Sequence, residues 1–206
     1  MKLTVLAFIF GLCLAVASTN IDYPVDDNKI SEFIPLDYAD EIIDTETYSA
    51  FGPLLFTIKA CLRTLKGANC TIKRVMSIRS AGVEFLNAIQ DCNTGALKNF
   101  NALIKQVESV VSTCDDIIHL NSNVCSNGDL DDEADGQKKT PRSCYSKLLS
   151  KMMTLKRQIA KAITLSKKLP YTANTYAGCS TAAVSDLISV FTEFPSFVKT
   201  CSKLKN

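Results

Sequence analysis

Nine cysteines run through this chain, and their spacing constrains the fold more tightly than any other feature. Cys70 to Cys92, Cys92 to Cys114 and Cys179 to Cys201 are each 22 positions apart. On an α-helix that interval is about six turns, or roughly 33 Å, so two such cysteines share a face but sit near opposite ends. A disulfide needs its Cα atoms within about 7 Å, so cysteines spaced this way cannot bond to each other along one helix. If the chain is helical, its bridges must join different helices.

The N-terminus bears on the redox setting. Met1-Lys2 precedes an apolar run over residues 3–16 that closes on Ala15-Val16-Ala17, the order of a secretory signal peptide cut before Ser18. The run falls short of the roughly 20 residues that cross a bilayer as a helix, and no other stretch is longer or freer of charge. The C-terminal residues 202–206 carry neither a hydrophobic tail for a lipid anchor nor a retention signal. The mature chain is therefore expected to be soluble, secreted and extracellular. Loss of the leader removes Cys13 and leaves Cys61, Cys70, Cys92, Cys114, Cys125, Cys144, Cys179 and Cys201. In an oxidising compartment this even set predicts four disulfides, of a connectivity that composition alone leaves open. Zinc fits poorly, because there is no C-x-x-C and His119 is the single histidine.

Charge divides the rest of the chain. Residues 18–50 hold nine acids (Asp22, Asp26, Asp27, Glu32, Asp37, Asp40, Glu41, Asp44 and Glu46) against Lys29 alone, with Pro24 and Pro35 among them. This reads as an extended acidic arm that lies on the body or stays disordered. A removable pro-segment is the alternative, although no dibasic site near residue 50 would release it. From residue 51 to 206 the balance reverses, to 21 Lys and Arg against 12 Asp and Glu, so a near-neutral total conceals a basic domain.

Within residues 51–206 five stretches place apolar residues at alternating three- and four-residue steps, the period of an amphipathic helix. The first carries Phe51, Leu54, Ile58, Cys61 and Leu65, with Pro53 near its start and Gly67 just past its end. The second opens at a Thr71 cap and carries Ile72, Val75, Met76, Val83, Leu86 and Ile89. The third repeats heptads through Leu97, Phe100, Ile104, Val107, Val111, Cys114 and Ile118. The fourth opens with Thr140-Pro141 and runs through Tyr145, Leu148, Met152, Leu155, Ile159, Ala162 and Leu169. The fifth holds Val184, Leu187, Phe191, Phe194, Val198 and Cys201, and its Pro195 should kink or split it. Apolar residues beside the seam (Ile78, Phe85, Leu103, Val110, Leu149, Met153 and Ile163) suit a wide core-facing stripe better than a coiled-coil oligomer. The fold class predicted is all-α, an antiparallel bundle of about five disulfide-stapled helices.

With alternating helix directions, Cys61, Cys70, Cys114, Cys125, Cys144 and Cys201 gather at one end of the bundle, and Cys92 and Cys179 at the other. Cys92 to Cys179 is then the best-supported pair. The pairing of the remaining six stays open.

The region over residues 70–201, with Ala88-Ile89-Gln90-Asp91-Cys92, Val111-Ser112-Thr113-Cys114 and Phe197-Val198-Lys199-Thr200-Cys201, resembles the secreted insect proteins that share the TsetseEP domain. The resemblance implies an extracellular insect protein of a family with no established activity. It covers the cysteine-bearing region alone, since the Glu-Pro repeats of the family's namesake are absent here. Insect odorant-binding proteins look alike superficially, but their C-x3-C signature is missing.

Catalytic parts are sparse. No G-x-S-x-G, P-loop or H-E-x-x-H occurs, so no enzyme activity, cofactor or catalytic residue is expected. Asp115 and His119, four apart, share a helix face that a metal could use, but such a histidine more often ends a helix, where the dipole favours its cation. Asp131, Glu133, Asp135 and Gly136 mimic the opening of an EF-hand loop. Arg142 occupies the twelfth position, where a carboxylate is required, so no metal site is expected there. The Lys138-Lys139 pair and Arg142 make this acidic loop the place most open to proteolysis.

Two features bear on binding and modification. Residues 143–169 contain Lys147, Lys151, Lys156, Arg157, Lys161, Lys167 and Lys168 and no acid, a density that fits an anionic membrane, glycan or microbial surface as well as a simply solvated face. Nucleic acid fits less well, because no aromatic residues interleave the lysines to stack on bases. Asn69-Cys70-Thr71 is an N-glycosylation sequon, blocked if Cys70 is bridged early. The leading expectation is thus a secreted, non-enzymatic interaction protein for a partner or anionic surface. The alternative is an extracellular carrier whose Phe100, Met152, Met153, Phe191 and Phe194 line a site for a small apolar ligand.

Overall fold

Helix boundaries follow the local chemistry of caps and prolines, and the apolar stripes decide how the helices stack. The computed structural model describes residues 45–91, 98–127, 130, 138–169 and 178–204, all within the unit Tyr38–Asn206. The signal peptide (1–17), most of the acidic arm (18–44), the EF-hand-like positions (131–136) and Cys92 lie outside the described residues, as does the Cys179 side chain. Seven helices are described: α1 (Thr45–Phe51), α2 (Leu54–Leu62), α3 (Leu65–Asp91), α4 (Lys98–Asn123), α5 (Arg142–Lys167), α6 (Gly178–Thr192) and α7 (Phe194–Cys201). No strand occurs among the described residues, where one isolated antiparallel bridge joins Thr64 to Lys139. The fold is an all-α helical bundle stapled by disulfides, as the periodicity predicts.

Prolines set several boundaries. Pro53 caps α2 and Pro141 caps α5, where a missing N–H costs no helical hydrogen bond. Pro195 sits in the first turn of α7 and splits the predicted fifth helix after Thr192.

The predicted cap of the second helix moves. Thr64, not Thr71, starts α3: its Oγ1 accepts from the Gly67 N–H at 3.2 Å, while Thr71 sits inside the helix and donates to the Gly67 carbonyl at 2.8 Å. Gly67 therefore belongs to the first turn of α3 and does not end the preceding helix. A Cβ there would lie 2.2 Å from the Cys61 carbonyl oxygen, so only glycine lets the end of α2 fold so tightly onto α3. The arm also ends sooner than predicted, since its last residues form α1, with Thr47 buried.

Helix directions alternate. Between α3 and α4, Arg79 pairs with Asp115 and the rings of Phe85 and Phe100 lie 6.3 Å apart. Between α4 and α5, Lys151 pairs with Asp116 at 2.7 Å and the Gln106 side chain donates to the Gln158 carbonyl at 3.1 Å. The α6–α7 arm runs back along α3, where Arg74 donates to the Val190 carbonyl at 2.9 Å. In each pair of neighbours, later residues of one helix meet earlier residues of the other, which is antiparallel packing.

The core follows the wide stripe. Along α4 the fully buried residues are Leu103, Val107, Val110, Cys114 and Ile117, with Phe100 almost as deep. Ile104, Val111 and Ile118, three of the seven residues of the predicted heptad seam, lie at its edge. Flanking helices on both sides pull the buried line off the strict seven-residue register. Leu149, Met153 and Ile163 are buried on α5, as are Ile78 and Phe85 on α3.

Two bridges join helices at the end predicted to collect six cysteines. Cys70 bonds Cys201 and Cys125 bonds Cys144, with Cα separations of 5.6 and 5.1 Å. The expectation of a bridge at every cysteine needs correction at two of these six, since Cys61 and Cys114 are buried thiols. Cys61 Sγ donates to the Val198 carbonyl at 3.0 Å, and Cys114 faces the core from the middle of its helix stack.

Candidate functional site: the basic face of helix α5

Helix α5 turns one side to the core and the other outward. Its inner side holds Leu148, Met152, Leu155, Ile159 and Ala162, none of them accessible to solvent. At 100° per residue, Lys147, Lys151, Arg157, Lys161 and Lys168 project within about 120° of one another, along one flank that runs from the edge of this inner stripe to the outward side. Of these, Lys147 and Lys168 are exposed and the other three half-buried. Exposed Ser150 lies between Lys147 and Lys151, and exposed Ser143 and Ser146 just precede Lys147, so this flank of the helix carries cations and hydroxyls and no acid of its own.

Two of the seven candidate residues depart from this face. Lys156 and Lys167 lie about half a turn around from Lys147. Lys167 reaches Glu46 of α1 at 2.9 Å and Thr47 Oγ1 at 3.4 Å, fastening the end of the acidic arm to the end of α5. Lys151 stays in the cluster, at its edge beside the inner stripe, and is shared with Asp116. Both ion pairs join exposed side chains, Glu46 most of all, where water screens most of the attraction. They position the helices more than they neutralise the face.

The other candidates fall elsewhere. Asp115 is drawn away from His119 by Arg79, while the His119 ring nitrogens lie 3.0 Å from Asn123 Nδ2, one turn on. Asn69 is buried, and its Oδ1 accepts a hydrogen bond from Asn127 Nδ2. The same Asn127 amide donates to Asn121 Oδ1 at 3.2 Å, and Asn121 Nδ2 donates to the Asn127 carbonyl at 2.7 Å. A glycan on Asn69 has no room in this fold, and Cys70 beside it is bridged. Lys138 and Lys139 are exposed, but the backbone there is held at both sides: the Leu65 N–H donates to the Lys138 carbonyl at 2.8 Å and the Thr140 N–H to the Arg63 carbonyl at 3.0 Å. The aromatic and methionine residues considered for a ligand site are buried in the core, where Phe194 stacks on Phe51 at 6.2 Å and Phe100 meets Phe85.

Sequence reasoning missed two features. The asparagine cluster joins the start of α3 to the turn after α4, and nothing in the spacing of residues 69, 121 and 127 announces it. Arg74, nearly buried, donates to Glu193 Oε2 as well as to the Val190 carbonyl, both at 2.9 Å, and its guanidinium lies 5.1 Å from the centre of the Phe197 ring. Its position among apolar neighbours on α3 was the available signal. One buried group is strongly perturbed: burial, and secondarily the charge of Asp115, push the Cys114 thiol up to about 12.

No helix among the described residues is long and apolar enough to cross a membrane. Comparison with protein-family models, with curated proteins and with solved structures finds no match for this chain.

Proposed function

We propose that this is a secreted, non-enzymatic binding protein whose α5 face meets an anionic surface. The observation that carries the reading is the outward cluster of Lys147, Lys151, Arg157, Lys161 and Lys168 on a helix without a single acid. A one-signed face on a rigid helix attracts counter-charge at long range and holds it without reorganising. Secretion is supported by the leader-like residues 1–17, by two disulfides in the described residues, and by the resemblance to TsetseEP-domain proteins.

The test is retention on an immobilised anionic surface across a salt series. Exposed contacts are screened over about 8 Å at physiological ionic strength, so retention should fall steeply as salt rises. Reversal of charge at Lys151, Lys161 and Lys168 together should abolish it while the helical circular dichroism spectrum stays unchanged. Absence of retention at low salt in the intact protein would remove the proposal, leaving the face as a solvated one.

A further inference from the structure

We infer that the α5 face takes a linear sulfated polysaccharide rather than a bilayer, an inference that rests on the anionic-surface reading above. Three observations point the same way. First, the cations form a line: from Lys147 to Lys168 the helix rises about 31 Å at 1.5 Å per residue, while the cluster stays within about a third of its circumference. A charge line of this shape matches an extended polyanion laid along the helix axis. A flat charged surface would be met equally well by cations spread over several helices.

Second, the face lacks what a lipid surface rewards. Helices that lie on bilayers bury apolar side chains into the headgroup boundary beside their basic residues. Phe56, Met76 and Val124, the large apolar side chains most exposed among the described residues, lie on α2, α3 and the turn after α4, none on α5. Third, hydroxyls accompany the cations at the N-terminal end of the line, with Ser150 exposed between Lys147 and Lys151 and Ser143 and Ser146 exposed just ahead of Lys147. Hydroxyls hydrogen-bond to sugar hydroxyls and sulfate oxygens in both directions. Arg157, midway along the line, offers a planar fork that fits two oxygens of one sulfate.

Heparin oligosaccharides of graded length and phosphatidylserine vesicles, titrated against the full protein, test the inference. Affinity should rise with oligosaccharide length until the sugar spans the line of about 31 Å, then level off, and vesicles should bind more weakly at matched charge. Charge reversal at the two ends, Lys147→Glu with Lys168→Glu, should weaken the longest oligosaccharide by about tenfold or more while leaving the shortest within about twofold. Lys167→Ala, off the line, should change neither. Affinity independent of length, or vesicles binding more tightly than the longest oligosaccharide, would overturn the polysaccharide and leave the anionic-surface reading standing. Failure of both probes at low salt would remove both.

Discussion

A buried thiol is worth most to stability while it keeps its proton. The Cys114 thiol is held protonated well above its ordinary 9.0, up to about 12, by burial. An unfolded chain loses that proton at lower pH than the native one, so the contribution is complete below about pH 9 and is lost as pH rises towards 12. Between these limits the slope should approach about 1.4 kcal/mol per pH unit. Chemical denaturation of the protein and of Cys114→Ala at pH 8 and at pH 10.5 measures this: the variant should lose less stability between the two. A parallel loss in both would assign the alkaline sensitivity to other groups. Thiol-labelling reagents should reach Cys61 and Cys114 only after unfolding, as peptide mapping would show, since both are buried.

At the scale of elements, the closest approaches between helices rest on a few side chains of unequal weight. Arg74 ties α3 to α6 and α7 through the Val190 carbonyl, Glu193 and the Phe197 ring. The Glu193 side chain is 62% exposed, so its ion pair is screened, whereas the arginine itself is 12% exposed. Arg74→Ala should therefore lower stability by about 1–2 kcal/mol through lost packing and the lost bond to a part-buried carbonyl, while Glu193→Gln should change it by less than about 0.5 kcal/mol. Equal losses in urea denaturation would make the ion pair the anchor instead. Gly67→Ala is expected to be costly for another reason, about 1–3 kcal/mol or more, because the added carbon meets the Cys61 carbonyl, a backbone atom held by α2.

For the whole molecule the two bridges act over very different spans. Cys70–Cys201 encloses a separation of 131 residues and Cys125–Cys144 one of 19. On the chain-entropy account the first restrains the unfolded state by about 5 kcal/mol and the second by about 3 kcal/mol. Paired alanine substitution of Cys70 and Cys201 should then lower the melting temperature more than the same change at Cys125 and Cys144. The reverse order would show that local packing around the α4–α5 turn outweighs chain entropy. Cys125–Cys144 also spans the loop that carries Lys138 and Lys139, so a nick there should leave one species without reductant and two with it. The hydrogen bonds on either side of Lys139 should slow such cleavage relative to a free loop.

What could be read directly was whatever depends on neighbours along the chain. Helical period, the split at Pro195 and the wide stripe beside the heptads follow from side chains a few positions apart. The basic line on α5 was legible too, except that Lys156 and Lys167 needed a helical projection to be set aside. Tertiary structure alone decided the rest, because these outcomes depend on atoms distant in sequence. Thr64 became the cap because the α2 end packs against Gly67. Asn69 was withdrawn from the surface by Asn127, 58 positions away. Asp115 turned from His119 to Arg79 because α3 lies alongside. Cys61 and Cys114 are thiols while the equally buried Cys144 and Cys201 are bridged, because an even count of cysteines carries no information about which sulfurs the packing brings within bonding distance.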